Sequence, residues 1–152
     1  MTAQADPGSR GGDGGDGGDG GDGGDGGAYH GGVPRFHHVN LGVLPLQLEP
    51  QMEWLVDVLG YRRIVPPAEI AAMGANWFEA DDGSQVHLSV DEEHQPARRA
   101  HVAVEIDDAA ATSERLQTRG DDFRTSETPQ LTVIFCRDPA GNRWELRAAP
   151  RA

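Results

Sequence analysis

Between Phe36 and Val43 polar and apolar residues alternate, with His38, Asn40 and Gly42 on one face and Val39, Leu41 and Val43 on the other. A period of two marks a strand with one buried and one polar face. Past Pro45 the period lengthens. Met52, Leu55, Val56 and Leu59 recur at helical spacing, Pro50 suits a first turn and Gly60 a left-handed stop, which predicts a helix over about 49–59. Strands are then expected over 61–65, ended by Pro66 and Pro67, over 76–80, ended by Asp81-Asp82-Gly83, and over 85–90.

The same order recurs. A strand over 101–106 precedes a helix over 108–119 closed by Gly120, a short strand near Phe123, and strands over 131–136 and 143–147. The last two are joined by Asp138-Pro139-Ala140-Gly141-Asn142, which places Pro and Gly at favourable turn positions. From opening histidine to helix-stop glycine is 22 positions in one copy (38 to 60) and 19 in the other (101 to 120). Surface loops absorb differences of that size at little cost. The chain therefore reads as an α+β fold of two βαβββ modules, 36–90 and 101–147, joined by a polar linker over 91–96 that is expected to be exposed.

Composition separates this folded part from what precedes it. The first 32 residues hold 15 of the 21 glycines and five Gly-Gly-Asp triplets, too little apolar surface to offset the entropy of ordering. Residues 1–32 are thus expected to form a disordered acidic tail. Its repeat lacks the proline of a collagen helix and the hydrophobic position of a calcium-binding β-roll. Residues 33–149 suffice for one compact domain.

Charge and residue usage then remove several function classes. The formal charge of −12 divides into −5 for residues 1–32 (six Asp, one Arg) and −7 for the rest. A folded part this acidic lacks the footprint for nucleic acid or an anionic membrane. Lysine is absent, so Schiff-base chemistry through lysine is excluded. Cys136 is the single cysteine, which rules out an intrachain disulfide or a thiolate cluster; its apolar neighbourhood reads as core. Without a membrane span or secretory signal in this sequence, the expectation is a soluble, cytoplasmic protein.

Four residues stand in register across the repeat. His38 and His101 open the two copies, while His87 and Glu145 sit on the closing strands, 49 and 44 positions later (38 to 87, 101 to 145). Each lies opposite the apolar face of its strand. Imidazoles and a carboxylate suit Zn, Ni, Fe, Mn or Co, and geometry decides among these divalent ions. His37 has the wrong parity and His94 lies in the linker, so both are expected outside the ligand set. Trp54 and Trp144 read as core, and Trp77 as a residue of a cavity rim. Arg143 and Arg147 share the face of Glu145, either solvated or holding a substrate carboxylate or thiol conjugate.

Phe36-His37-His38-Val39, Leu59-Gly60-Tyr61, Trp77-Phe78-Glu79, Val86-His87-Leu88, His101-Val102-Ala103-Val104 and Asp138-Pro139-Ala140-Gly141-Asn142-Arg143-Trp144-Glu145-Leu146 together resemble the vicinal oxygen chelate superfamily. That group includes glyoxalase I, extradiol dioxygenases, methylmalonyl-CoA epimerase and fosfomycin-resistance proteins. The resemblance covers residues 34–148. It implies paired modules forming a cupped mixed sheet around a metal, with ligands at His38, His87, His101 and Glu145. It further implies chelation of an α-oxygenated small molecule, with Glu145 as the catalytic proton shuttle. Modules pair within one chain or across a homodimer in this group.

The closing residues differ between the copies. Glyoxalase I usually supplies a carboxylate from each half, whereas His87 stands where the first would be. A glyoxalase-like lyase or isomerase is the leading expectation. An Fe(II) extradiol-type dioxygenase using His38, His101 and Glu145 is the second, and a metal-free protein that sequesters a small molecule is the third.

Overall fold

The computed structural model describes residues 34–148, and the tail expected over 1–32 lies outside them. The first module runs β1 (His38–Val43), a 3-10 turn (Pro45–Gln47), α1 (Leu48–Asp57), β2 (Arg62–Ile64), a short α2 (Ala68–Ala71), β3 (Asn76–Glu79) and β4 (Gln85–Val90). The second runs β5 (His101–Glu105), α3 (Ala109–Arg119), β6 (Phe123–Thr128), β7 (Leu131–Arg137) and β8 (Arg143–Ala148). Two features depart from the pattern reading. A turn of helix forms in the loop after Pro67, and the strand at Phe123 extends over six residues.

Each module folds into its own four-stranded mixed sheet, in the orders β1-β4-β3-β2 and β5-β8-β7-β6. The opening and closing strands of each module are parallel neighbours; all other pairings are antiparallel. Parallel pairing needs a long crossover, and α1 and α3 lie within those crossovers. Asp108 caps α3 by accepting from the Ala111 amide, and Gly120 ends it at φ +80°.

The apolar strand faces and the helices meet in one core fed by both modules. Val43, Phe78, Val86 and Leu88 come from the first sheet, Ile134, Trp144 and Leu146 from the second, and Trp54, Leu55 and Leu116 from the helices. Each such side chain contributes about 1.5–3 kcal/mol on burial. The Trp54 and Trp144 rings pack 5.3 Å apart, so both tryptophans are core residues, as their positions in the sequence suggested.

A polar joint fixes α1 against the second module. Buried Gln51 donates to Asp138 Oδ2 at 2.8 Å and accepts from the Ala140 amide at 3.1 Å. Asp138 also accepts from Trp144 Nε1 and from the backbone and side-chain nitrogens of Asn142. Burial pushes the Asp138 carboxyl above its ordinary value, while these donors pull it back down. The Asp-Pro-Ala-Gly-Asn segment is therefore more than a hairpin turn, because its aspartate anchors a helix from the other module.

The linker over 91–96 is exposed as expected except at His94. His94 is half-buried, with its ring against Gly42, where an added Cβ would come within 2.5 Å of Nδ1.

Candidate metal and substrate site

Parallel pairing of β1 with β4 sets His38 beside Gln85 and Asn40 beside His87, and antiparallel pairing sets Trp77 opposite His87. Side chains of matching parity rise from the same face. His87 lies between Trp77 and His38 as the middle ring of a stack. Its centroid is 4.1 Å from each neighbour, with interplanar angles of 3° and 14°. Only 8% of His87 remains exposed.

A polar relay orients this ring. Arg62 donates to Glu79, Gln85 Nε2 donates to Glu79 Oε2 at 3.1 Å, and Gln85 Oε1 lies 2.9 Å from His87 Nε2. Because the Gln85 amide nitrogen faces a carboxylate, its oxygen faces the imidazole, and His87 Nε2 carries the hydrogen. Nδ1 is then the nitrogen left with a lone pair. Burial, followed by the charges of His38 and His37, lowers the His87 pKa to about 4, so the ring is neutral at physiological pH. His37, expected apart from the site, lies with its Nδ1 3.0 Å from that of His38.

In the second module β5 and β8 place His101 beside Arg143 and Ala103 beside Glu145. His101 Nε2 is 3.2 Å from Glu145 Oε2, and the other carboxylate oxygen accepts from Arg147. His101 Nδ1 is 3.2 Å from the Arg99 carbonyl. A carbonyl only accepts, so Nδ1 carries the hydrogen and Nε2 is directed at the carboxylate.

His87 and His101 thus each have one ring nitrogen held by a protein acceptor and the other left to bind. That is the outer-shell pattern that orients metal-ligating histidines. The four residues form two pairs, His38 with His87 and His101 with Glu145. Among the described residues no group of three or more His, Cys, Asp or Glu is arranged to hold an ion. The donor types and tautomers fit a divalent metal, two ligands per module.

Gln85 and Glu79 were not selected from the sequence as parts of a site, and Arg147, read there as solvated or substrate-binding, instead holds Glu145. The signal there is parity: Gln85 lies two residues from His87 and Arg147 two from Glu145, while Glu79 faces Gln85 across a strand pair. Trp77, expected at a rim, is the platform beneath His87. Cys136 is buried and its thiol is pushed up to about 12, first by burial and then by Asp138 and Asp121, consistent with an inert core residue.

Comparison with curated proteins finds no match. Among solved structures, a glyoxalase family protein from Bacillus anthracis is 23% identical with a TM-score of 0.69, over 78% of this chain and 97% of that one. A glyoxalase/dioxygenase from Nostoc punctiforme is 22% identical with a TM-score of 0.69, over 80% and 95%. The fosfomycin resistance protein FosX from Listeria monocytogenes, in its hexagonal form, is 17% identical with a TM-score of 0.64, over 78% and 95%. These likenesses establish a shared fold. The family model of the Glyoxalase/Bleomycin resistance protein/Dioxygenase superfamily matches residues 35–146, and the chain belongs to that superfamily.

Proposed function

We propose that this protein is a divalent-metal-dependent, glyoxalase-like lyase or isomerase acting on an α-oxygenated small molecule. The observation that carries the reading is the His101–Glu145 pair, 3.2 Å apart and braced by Arg99 and Arg147. His101 and Glu145 would hold the ion from one module, and His38 and His87 from the other. When bound, the ion supplies Lewis-acid stabilisation of negative charge developing on the substrate oxygens.

The protein's own contribution is orientation and proton transfer. Glu145 is the one carboxylate in the proposed set, so it is the group that takes a proton from the carbon next to the chelating oxygen and returns it. Arg147 holds one of its oxygens, leaving the other toward His101. His87 is neutral and its Nε2 is committed to Gln85, so a second proton carrier opposite Glu145 is missing from this set. Proton return to the same face follows more readily than transfer between faces.

Elemental analysis and calorimetric titration of untagged full-length protein test the reading. A stoichiometric divalent ion, lost in His101→Ala and Glu145→Ala, supports it. An ion-free protein that does not take up Zn(II), Ni(II), Mn(II), Co(II) or Fe(II) refutes it. Turnover of a hemithioacetal under the best metal then separates a lyase from other chemistry.

One observation favours a second reading. The His87 ring is covered on both faces, whereas His38 and His101 are exposed, and a site using only His38, His101 and Glu145 has two histidines and one carboxylate. That set is the facial triad of Fe(II) oxygenases. Catechol-dependent oxygen consumption under Fe(II), unchanged in His87→Ala, would select it.

A further inference from the structure

The polar face of the second sheet carries an arginine cluster unlike the rest of this acidic chain. Arg143 of β8 lies between His101 on β5 and Arg137 on β7, directly opposite each in the ladder. One row on, Glu145 faces Phe135, which faces Arg124 on β6. The Arg124 guanidinium sits 4.4 Å above the Phe135 ring. Two like charges directly opposite on a sheet destabilise it, and a counter-charge nearby would offset this.

Among the described residues no carboxylate is ion-paired with Arg137 or Arg143. Arg137 donates to the Gly141 carbonyl and Arg143 to the Arg98 carbonyl, while the ion pairs among the described residues use Arg62, Arg119 and Arg147. Arg124, Arg137, Arg143 and Phe135, which share a face of the sheet by parity, are among the residues that line a cleft of about 620 Å³. Asp121 and Asp122 stand at the same cleft. Asp121 is already engaged by Trp54 Nε1 at 3.1 Å and Arg119 Nε at 3.6 Å, and Asp122 is exposed. Arg143 also lines the smaller cavity that His101 borders.

We propose that this cleft binds the anionic end of the substrate, a carboxylate, phosphonate or phosphate held by Arg137 and Arg143 beside the His101–Glu145 pair. Guanidinium forks match such groups with two parallel hydrogen bonds each. Arg143 and Glu145 are two residues apart on β8, on the same face, which separates their Cα atoms by roughly 7 Å. Arg124 and Phe135 form the cleft's cationic and apolar wall. The inference deepens the proposed function, resting on its assignment of the His101–Glu145 end as the reacting site.

The test is titration of 15N-labelled full-length protein with inorganic phosphate and, separately, acetate, at low ionic strength with EDTA present, following the arginine Nε–H resonances. Saturable shifts confined to Arg137, Arg143 and Arg124 are expected, and the tighter anion identifies a tetrahedral or a planar group. Arg143→Gln and Arg137→Gln should each weaken binding at least tenfold, and Arg115→Gln on α3 should leave it unchanged. Absence of saturation with both anions, or equal shifts at Arg115, overturns the proposal. So does wild-type affinity in folded Arg143→Gln. If that variant does not fold, the wild-type resonances decide. Because no ion is present, anion binding by a chain that takes up no metal sustains this subsite and removes the metal enzyme; metal uptake without an anion response does the reverse.

Discussion

The imidazole of His87 lies flat against the indole of Trp77, with ring planes 3° apart and centroids 4.1 Å apart. Burial of the ring in this stack, followed by the charges of His38 and His37, makes His87 costly to protonate. Its folded pKa of about 4 lies below the ordinary value of 6.5. Between those values the unfolded chain binds a proton that the folded chain does not. The contribution is therefore fully present above pH 6.5 and is lost as pH falls toward 4, by at most about 1.4 kcal/mol per pH unit. Denaturation of metal-free protein across this range should show the decline, and His87→Gln should remove it. An NMR titration that places the His87 midpoint near 6.5 would contradict the assignment.

Glu145 is held from two sides, so its partners should matter unequally. Removing His101 or Glu145 takes away a proposed ligand, and metal affinity should fall well beyond a hundredfold. Arg147→Gln leaves the ligands but frees the carboxylate, for which a loss of about 10–100-fold is expected. Calorimetry on the three variants gives the ranking. Equal affinity in wild type and Arg147→Gln would reduce the arginine to a surface ion pair.

Asp138 should be among the most sensitive polar positions. In Asp138→Asn an amide nitrogen replaces one of two oxygens that now face donors from Gln51, Asn142 and Trp144. One donor loses its acceptor, at a cost of about 1–3 kcal/mol. Gln51→Ala should destabilise by a similar amount, and the double variant by less than the sum, because the two share one network. Urea denaturation provides all three values.

Gly42 tests the position of the linker. A methyl group there meets the His94 ring at 2.5 Å, so Gly42→Ala should destabilise by about 1–3 kcal/mol. In a His94→Ala background the penalty should largely vanish. Thermal melts of the four proteins in that cycle suffice.

Cys136 should be silent to thiol reagents. With its thiol pushed up to about 12 and its side chain in the core, modification at pH 8 should require denaturant. Rapid labelling of native protein would place the residue elsewhere.

Much of this architecture is legible along the chain because a strand's period fixes which face each side chain takes. His38, His87, His101 and Glu145 could be placed opposite their apolar neighbours from parity alone, and Gly60 and Gly120 end their helical segments as expected. The order of elements followed from the repeat, and the Asp138–Leu146 segment pointed to the superfamily that the family model then matched. Parity does not say which strand lies alongside. That His87 sits between His38 and Trp77, that Arg143 faces both His101 and Arg137, and that Gln51 reaches Asp138 across 87 positions depend on sheet order and register. Those are set when two sheets and two helices close on one core, a sum over long-range contacts. The sequence by itself determined the faces and the candidate residues. Only the tertiary structure decided which of them touch, because local periodicity fixes the direction of a side chain while packing chooses its neighbours.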